Sequence, residues 1–85
     1  MKYSNYFHHT REREDTKEIK MEWIEEVFRF PEKEYLQKDG RIRRWRFIKE
    51  NGRYLRIVIL EDKETIHMLF LIGHIKKNNN EDHLF

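Results

Sequence analysis

The sequence predicts one α+β domain: a single amphipathic helix packed on a four-stranded antiparallel meander sheet, with an extended N-terminal arm. Three observations lead there. Apolar residues recur at helical spacing over one stretch, which ends at the only proline, Pro31. Beyond it the period drops from 3.6 to two, and the pairs Asp39-Gly40 and Asn51-Gly52 punctuate the alternation. Finally, 85 residues suffice for one hydrophobic core and not for two.

Residues 1–14 are polar and aromatic without a clear period, and read as an extended arm or short strand. Asp15-Thr16-Lys17-Glu18 fits a helix start, with Asp15 able to cap and Glu18 three residues on. The helix is expected over about 16–30. Met21, Ile24, Val27 and Phe28 share one face, flanked by Ile19, Trp23 and Phe30, while Glu22, Glu25, Glu26 and Arg29 face water. Such a stripe reads as core rather than as a groove for a partner. Pro31 stops the helix, because the residue before proline disfavours the α region.

The sheet is expected over 33–72. Glu34–Gln37 forms a short strand, Arg41–Ile48 and Arg53–Leu60 a hairpin pair, and Glu64–Ile72 the last strand, ending at Gly73. The domain runs from 1 to 77, and residues 78–85 read as a disordered tail. There is no internal repeat and no interdomain linker.

Alternation converts register into faces. With tight hairpins, Trp45 lies opposite Arg56, Arg43 opposite Val58, and Val58 opposite His67. One face then collects Ile42, Ile48, Leu55, Ile57, Ile59, Ile66, Met68, Phe70 and Ile72, the bed for the helix. Arg44 and Arg46 share this parity and are expected to reach around the edge beyond the helix. The other face collects Arg43, Trp45, Phe47, Tyr54, Arg56, Val58, Thr65 and His67, with Glu34 nearby. No second helix is expected to cover it.

Charge is segregated along the chain. Residues 38–60 carry eight basic side chains against two acidic ones, whereas residues 11–36 carry six basic against nine acidic. Six arginines fall between positions 41 and 56. That pattern suits an anionic partner; it equally suits a solvated face whose arginine stems cover apolar neighbours. Arginines interleaved with Trp45 and Tyr54 make a platform for phosphates and stacked bases, against the plainer reading of solvated cation–π pairs. His67, with an ordinary pKa near 6.5, is placed to exchange protons or is simply a surface histidine.

Several chemistries are excluded or disfavoured. There is no cysteine, so disulfide scaffolds, zinc ribbons and thiolate nucleophiles are out. Ser4 is the only serine, and no Gly-rich phosphate loop or nucleophile elbow is present. His8-His9 on a strand would point to opposite sides, so no metal site is expected, and no cofactor. The apolar runs are too short to span a membrane, and the first residues lack a signal-peptide stretch, which predicts a cytoplasmic protein. A metal-free nuclease needs only a base, an acid and cations on the developing phosphorane charge, which Arg, His, Tyr and Glu can supply.

Thr10-Arg11-Glu12-Arg13, Glu22-Trp23-Ile24-Glu25-Glu26-Val27, Asp39-Gly40-Arg41-Ile42-Arg43-Arg44-Trp45, Gly52-Arg53-Tyr54-Leu55-Arg56 and Glu64-Thr65-Ile66-His67 together resemble a family of small uncharacterised bacterial proteins. The likeness covers roughly residues 6–72. The helix–proline–meander order is similar to the BrnT branch of the RelE/ParE toxin superfamily. Relatives usually have proline where this chain has Glu14, and Asn-Ala-Phe-Phe where it has Met68-Leu69-Phe70-Leu71. The more apolar ending implies a covered edge or a homodimer contact.

The resemblance implies a RelE-like fold and a toxin of a bacterial toxin–antitoxin pair, a metal-independent endoribonuclease neutralised by a small acidic antitoxin protein. His67 and Arg56 would be catalytic, while Arg11, Arg13, Arg43, Trp45, Arg53 and Tyr54 would hold RNA or another anion. The partner would be free RNA or the ribosome; no DNA is expected for the isolated chain. The alternative is a non-catalytic module whose arginine face docks an acidic protein segment.

Overall fold

A computed structural model describes residues 1–14 and 16–73; Asp15, the expected cap, and residues 78–85, the expected tail, lie outside the described residues. The elements are β1 (Lys2–Tyr3), α1 (Asn5–Arg11), α2 (Met21–Arg29), β2 (Lys33–Leu36), β3 (Ile42–Ile48), β4 (Arg53–Ile59) and β5 (Thr65–Ile72). The class is α+β as expected. The sheet is not: it has five strands in the order β1-β5-β4-β3-β2, and it is mixed, because β1 pairs parallel with β5.

The arm is therefore structured. Lys2 N–H donates to the Glu64 carbonyl at 2.9 Å and Ser4 N–H to the Ile66 carbonyl at 3.0 Å, which adds a short edge strand. Ser4 then caps α1, its Oγ accepting from Phe7 N–H at 3.2 Å. About two turns of helix bury Phe7 and Thr10, three residues apart, too short a pattern to register as a period.

The main helix starts later than 16. Thr16 and Ile19 are buried in the preceding turns, where the Thr16 hydroxyl donates to the Thr10 carbonyl and Arg11 Nη1 to the Ile19 carbonyl. α2 buries Trp23, Ile24 and Val27, half-buries Phe28 and leaves Met21 44% exposed, so the buried stripe is rotated toward Trp23. Trp23 Nε1 donates to Glu50 at 3.1 Å, satisfying its one polar atom.

The β3–β4 register is the expected one, with Trp45 opposite Arg56 and Arg43 opposite Val58. Gly40 and Gly52 take positive φ (93° and 75°) in the flanking turns, as glycine permits. β4–β5 departs from expectation. Ile59 pairs with Ile66 and Val58 with Met68, so His67 is an extra residue in the strand, a β-bulge. Every residue beyond it changes face. Leu69, fully buried, and Leu71 pack on the core, while Met68, Phe70 and Ile72 lie in register with Val58, Arg56 and Tyr54 on the opposite side. The core thus joins Ile42, Ile48, Leu55, Ile57, Ile59, Ile66 and Leu69 of the sheet to Phe7, Ile19, Trp23, Ile24 and Val27. Among the described residues, no helix is long and apolar enough to cross a membrane.

Candidate anion-binding face

The face away from the helices is built of cross-strand rows. Arg43, Val58 and Met68 form one; Trp45, Arg56 and Phe70 the next; Phe47, Tyr54 and Ile72 the third. In the middle row the Arg56 guanidinium lies 4.3 Å from the centre of the Phe70 ring. Arg13, from the turn after α1, lies 5.2 Å from the same ring and donates from Nη2 to the Leu69 carbonyl at 2.9 Å. Two cations on one ring are possible because the bulge turned Phe70 outward.

Arg43 lies 5.9 Å from the Tyr35 ring, and the Gln37 amide oxygen, suitably turned, accepts from Arg43 Nη2 at 2.9 Å. Arg41, Arg43 and Arg56 border a shallow cavity of about 190 Å³ floored by Val58, Met68 and Phe70. Arg56 has no carboxylate partner among the described residues, and its Nε is buried without a hydrogen bond. Burial, and then the neighbouring Arg43, hold its pKa below the usual arginine value. An arginine stays protonated all the same, so this is positive charge that a ligand's negative charge would relieve.

The other expected contributors divide. Trp45 shares the face but is 1% exposed, so it fills the layer instead of offering a stacking surface. Tyr54 is half-buried, its ring edge-on to Phe47 at 5.3 Å. Arg53 has the parity of Leu55 and Ile57 and belongs to the helix side, away from Arg43 and Arg56. Arg11 is tied to the Ile19 carbonyl. Arg44 and Arg46, awkward in sequence, cap the end of α2: Arg44 Nη1 donates to the Phe28 carbonyl at 2.6 Å and Arg46 Nη1 to the Phe30 carbonyl at 2.7 Å. Glu34 and Glu26 pair with them at 2.5 and 3.4 Å. Much of the arginine excess is therefore architectural.

His67 and Arg56 do not converge. Arg56 pairs with Phe70, three residues beyond His67, on the order of 10 Å by strand rise. The bulge instead sets His67 against the N-terminal segment. Ser4 Oγ lies 2.8 Å from His67 Nδ1, and the Tyr6 ring stacks on the imidazole with centres 4.9 Å apart and planes at 24°. Burial, then the charge of Arg41, lower the His67 pKa, partly offset by Glu61. Arg41 is paired at 3.8 Å with Asp39 and 3.7 Å with Glu61. With Nδ1 engaged by Ser4, Nε2 is the atom left for exchange, and the ring is largely neutral at neutral pH. Sequence reasoning missed Ser4, Tyr6, Arg41 and Phe70. The β1–β5 pairing brings in Ser4 and Tyr6 and the bulge turns Phe70 outward, and neither leaves a signal in the side-chain pattern.

His8 and His9 lie on α1, both exposed, and no group of three metal-ligating side chains converges among the described residues. A wider cavity of about 550 Å³ opens beside α2, but Glu22, Glu25, Glu26 and Glu50 line it, the wrong sign for a phosphate. No protein-family model, curated protein or solved structure matches this chain.

Proposed function

We propose that this protein binds single-stranded RNA through Arg43 and Arg56, and acts as a RelE-like toxin of a bacterial toxin–antitoxin pair. The observation that carries the reading is Arg56: a half-buried guanidinium with no carboxylate among the described residues, beside a second arginine and over an aromatic ring. A phosphate at the open side of the guanidinium would balance this charge, and arginine binds phosphate well. The exposed Tyr6, stacked on His67, extends the same rim with a flat ring on which a base can stack.

Cleavage would fall to His67. Its neutral imidazole takes the 2′-hydroxyl proton, the 2′-oxygen attacks phosphorus to form a 2′,3′-cyclic phosphate, and the P–O5′ bond breaks with the 5′-oxygen taking a proton from water, while Arg41 steadies the phosphorane charge. The antitoxin would be a small acidic protein that neutralises the arginine face.

Fluorescence anisotropy with a labelled single-stranded RNA, titrated over a range of salt, tests the binding step. Tight binding at low salt, weakening steeply as salt rises, is expected. Absence of binding at low salt, with and without ribosomes, overturns the reading and leaves docking of an acidic protein segment as the successor.

A further inference from the structure

Arg56 and His67 stand apart, and Arg41 is the side chain that reaches toward both. With Arg43 and Arg56 it borders the cavity floored by Val58, Met68 and Phe70. It lies two residues before Arg43, so alternation puts the two on one face of the sheet. Met68 of that floor follows His67 in the chain, and Arg41 is the cation whose charge acts on the imidazole.

The hold on Arg41 is loose. Its Nε lies 3.8 Å from the Asp39 carboxylate and 3.7 Å from that of Glu61, both beyond hydrogen-bond length, and the two carboxylates are more than half exposed. Surface pairs of this kind contribute little to stability, so a better acceptor can take the guanidinium. Glu61 is placed more firmly. Its stem packs on Gly40, where an added Cβ would come within 3.0 Å of Glu61 Cγ. Arg41 is therefore the member of the pair that can swing.

We propose that a phosphate docked in this cavity draws the Arg41 guanidinium off Glu61 and leaves that carboxylate facing His67, so that docking itself makes the histidine a stronger base. This relay rests on the RNA reading for its ligand. The imidazole is faced by Ser4 and Tyr6 from the N-terminal segment, by Arg41 from the turn before β3 and by Glu61 from the turn after β4. Arg41 and Glu61 are the charged ones: Arg41 opposes protonation of the ring and Glu61 favours it. A phosphate cancels the first and unmasks the second, and both changes favour the imidazolium. The pKa of His67 then moves toward the working pH, where a general base is most effective, only when a phosphate is in place.

The His67 Cε1–H resonance of the full chain, followed across pH by NMR, reads the relay. It is recorded for the protein alone and with a 2′-O-methyl oligouridylate, which carries the phosphates but no attacking hydroxyl. Docking is read separately, from the ring resonances of Phe70 beneath Arg56. The oligomer should raise the His67 midpoint by roughly half a pH unit, the effect of one unit charge at a partly solvated site. Arg41→Gln should raise the midpoint of the protein alone, and the oligomer, still docked through Arg43 and Arg56, should then move it little. Glu61→Gln should lower the starting midpoint and shrink the rise. Perturbed Phe70 signals with an unmoved His67 midpoint overturn the relay and leave RNA binding standing. A rise as large in Arg41→Gln or in Glu61→Gln as in wild type does the same. Unperturbed Phe70 signals at low salt overturn the relay and the docking reading together.

Discussion

Arg44 donates from Nη1 to the carbonyl of Phe28 at 2.6 Å, so a strand arginine completes the last turn of the helix packed above it. The carbonyls at a helix C-terminus lack partners within the helix and carry partial negative charge. Arg44 also sits 5.1 Å over the Phe28 ring and pairs with Glu34. Arg44→Ala should cost about 1–3 kcal/mol in urea denaturation, the range for a charged hydrogen bond lost at a mostly buried site. Arg44→Lys should recover only part of it, because one ammonium replaces a fork that serves carbonyl and carboxylate together. A melt unchanged by Arg44→Ala would mean that water caps the helix as well.

The bulge at His67 sorts the last strand. Leu69→Ala removes a fully buried side chain and should cost about 2–5 kcal/mol. Met68→Ala, on the half-buried opposite face, should cost less than half as much. The unbulged register expected from sequence predicts the reverse order, so denaturation of these two variants decides between them.

What was legible follows from what each residue type encodes. Alternation and the two glycine turns defined β3 and β4 pair by pair, down to Trp45 opposite Arg56. Met68–Ile72 is apolar throughout, so either parity satisfies the hydrophobic effect and register is unspecified. β1 is two residues long, held by backbone bonds to Glu64 and Ile66 that no side-chain pattern announces. The site suffered from both gaps. Arg43 and Arg56 fall on one face as expected, whereas unbroken alternation sets His67 beside Arg56 and the bulge and the arm give it instead to Ser4, Tyr6 and Arg41.

Two titrations should shape stability with the same sign. Hydrogen bonds from the Thr65 hydroxyl and from the Glu64 and Thr65 amides hold Asp62 at about 2. Its unfolded value is about 3.9. The unfolded chain therefore binds more protons between these values, and the stabilisation is complete above about pH 4 and lost as pH falls through 2. His67, lowered by burial, contributes stability that is full above its unfolded value, about 6.5, and is lost as pH falls through its folded value. Urea melts across pH should show two downward steps on acidification. Asp62→Asn should remove the lower step alone, and Ser4→Ala should move the upper one.

Arg56 and His67 separate docking from chemistry. Each phosphate contact adds about 0.7 to the log–log salt slope for single-stranded nucleic acid. Arg56→Ala should weaken RNA binding and flatten that slope by roughly one contact. It should also cost some stability, because the guanidinium covers Phe70 at 4.3 Å; such contacts are worth about 0.5–2 kcal/mol. Arg53→Ala, on the helix side, should leave both slope and affinity unchanged, which controls for general loss of charge. His67→Ala should bind nearly as wild type while cleavage falls roughly 10²–10⁴-fold, the usual contribution of positioned proton transfer. Tyr6→Ala should fall between them, losing affinity through the stacked ring without altering the salt slope, since a base contact releases no counterions. If His67→Ala cleaves at the wild-type rate, the histidine is outside the mechanism, and the arginine face alone carries what remains of the RNA reading.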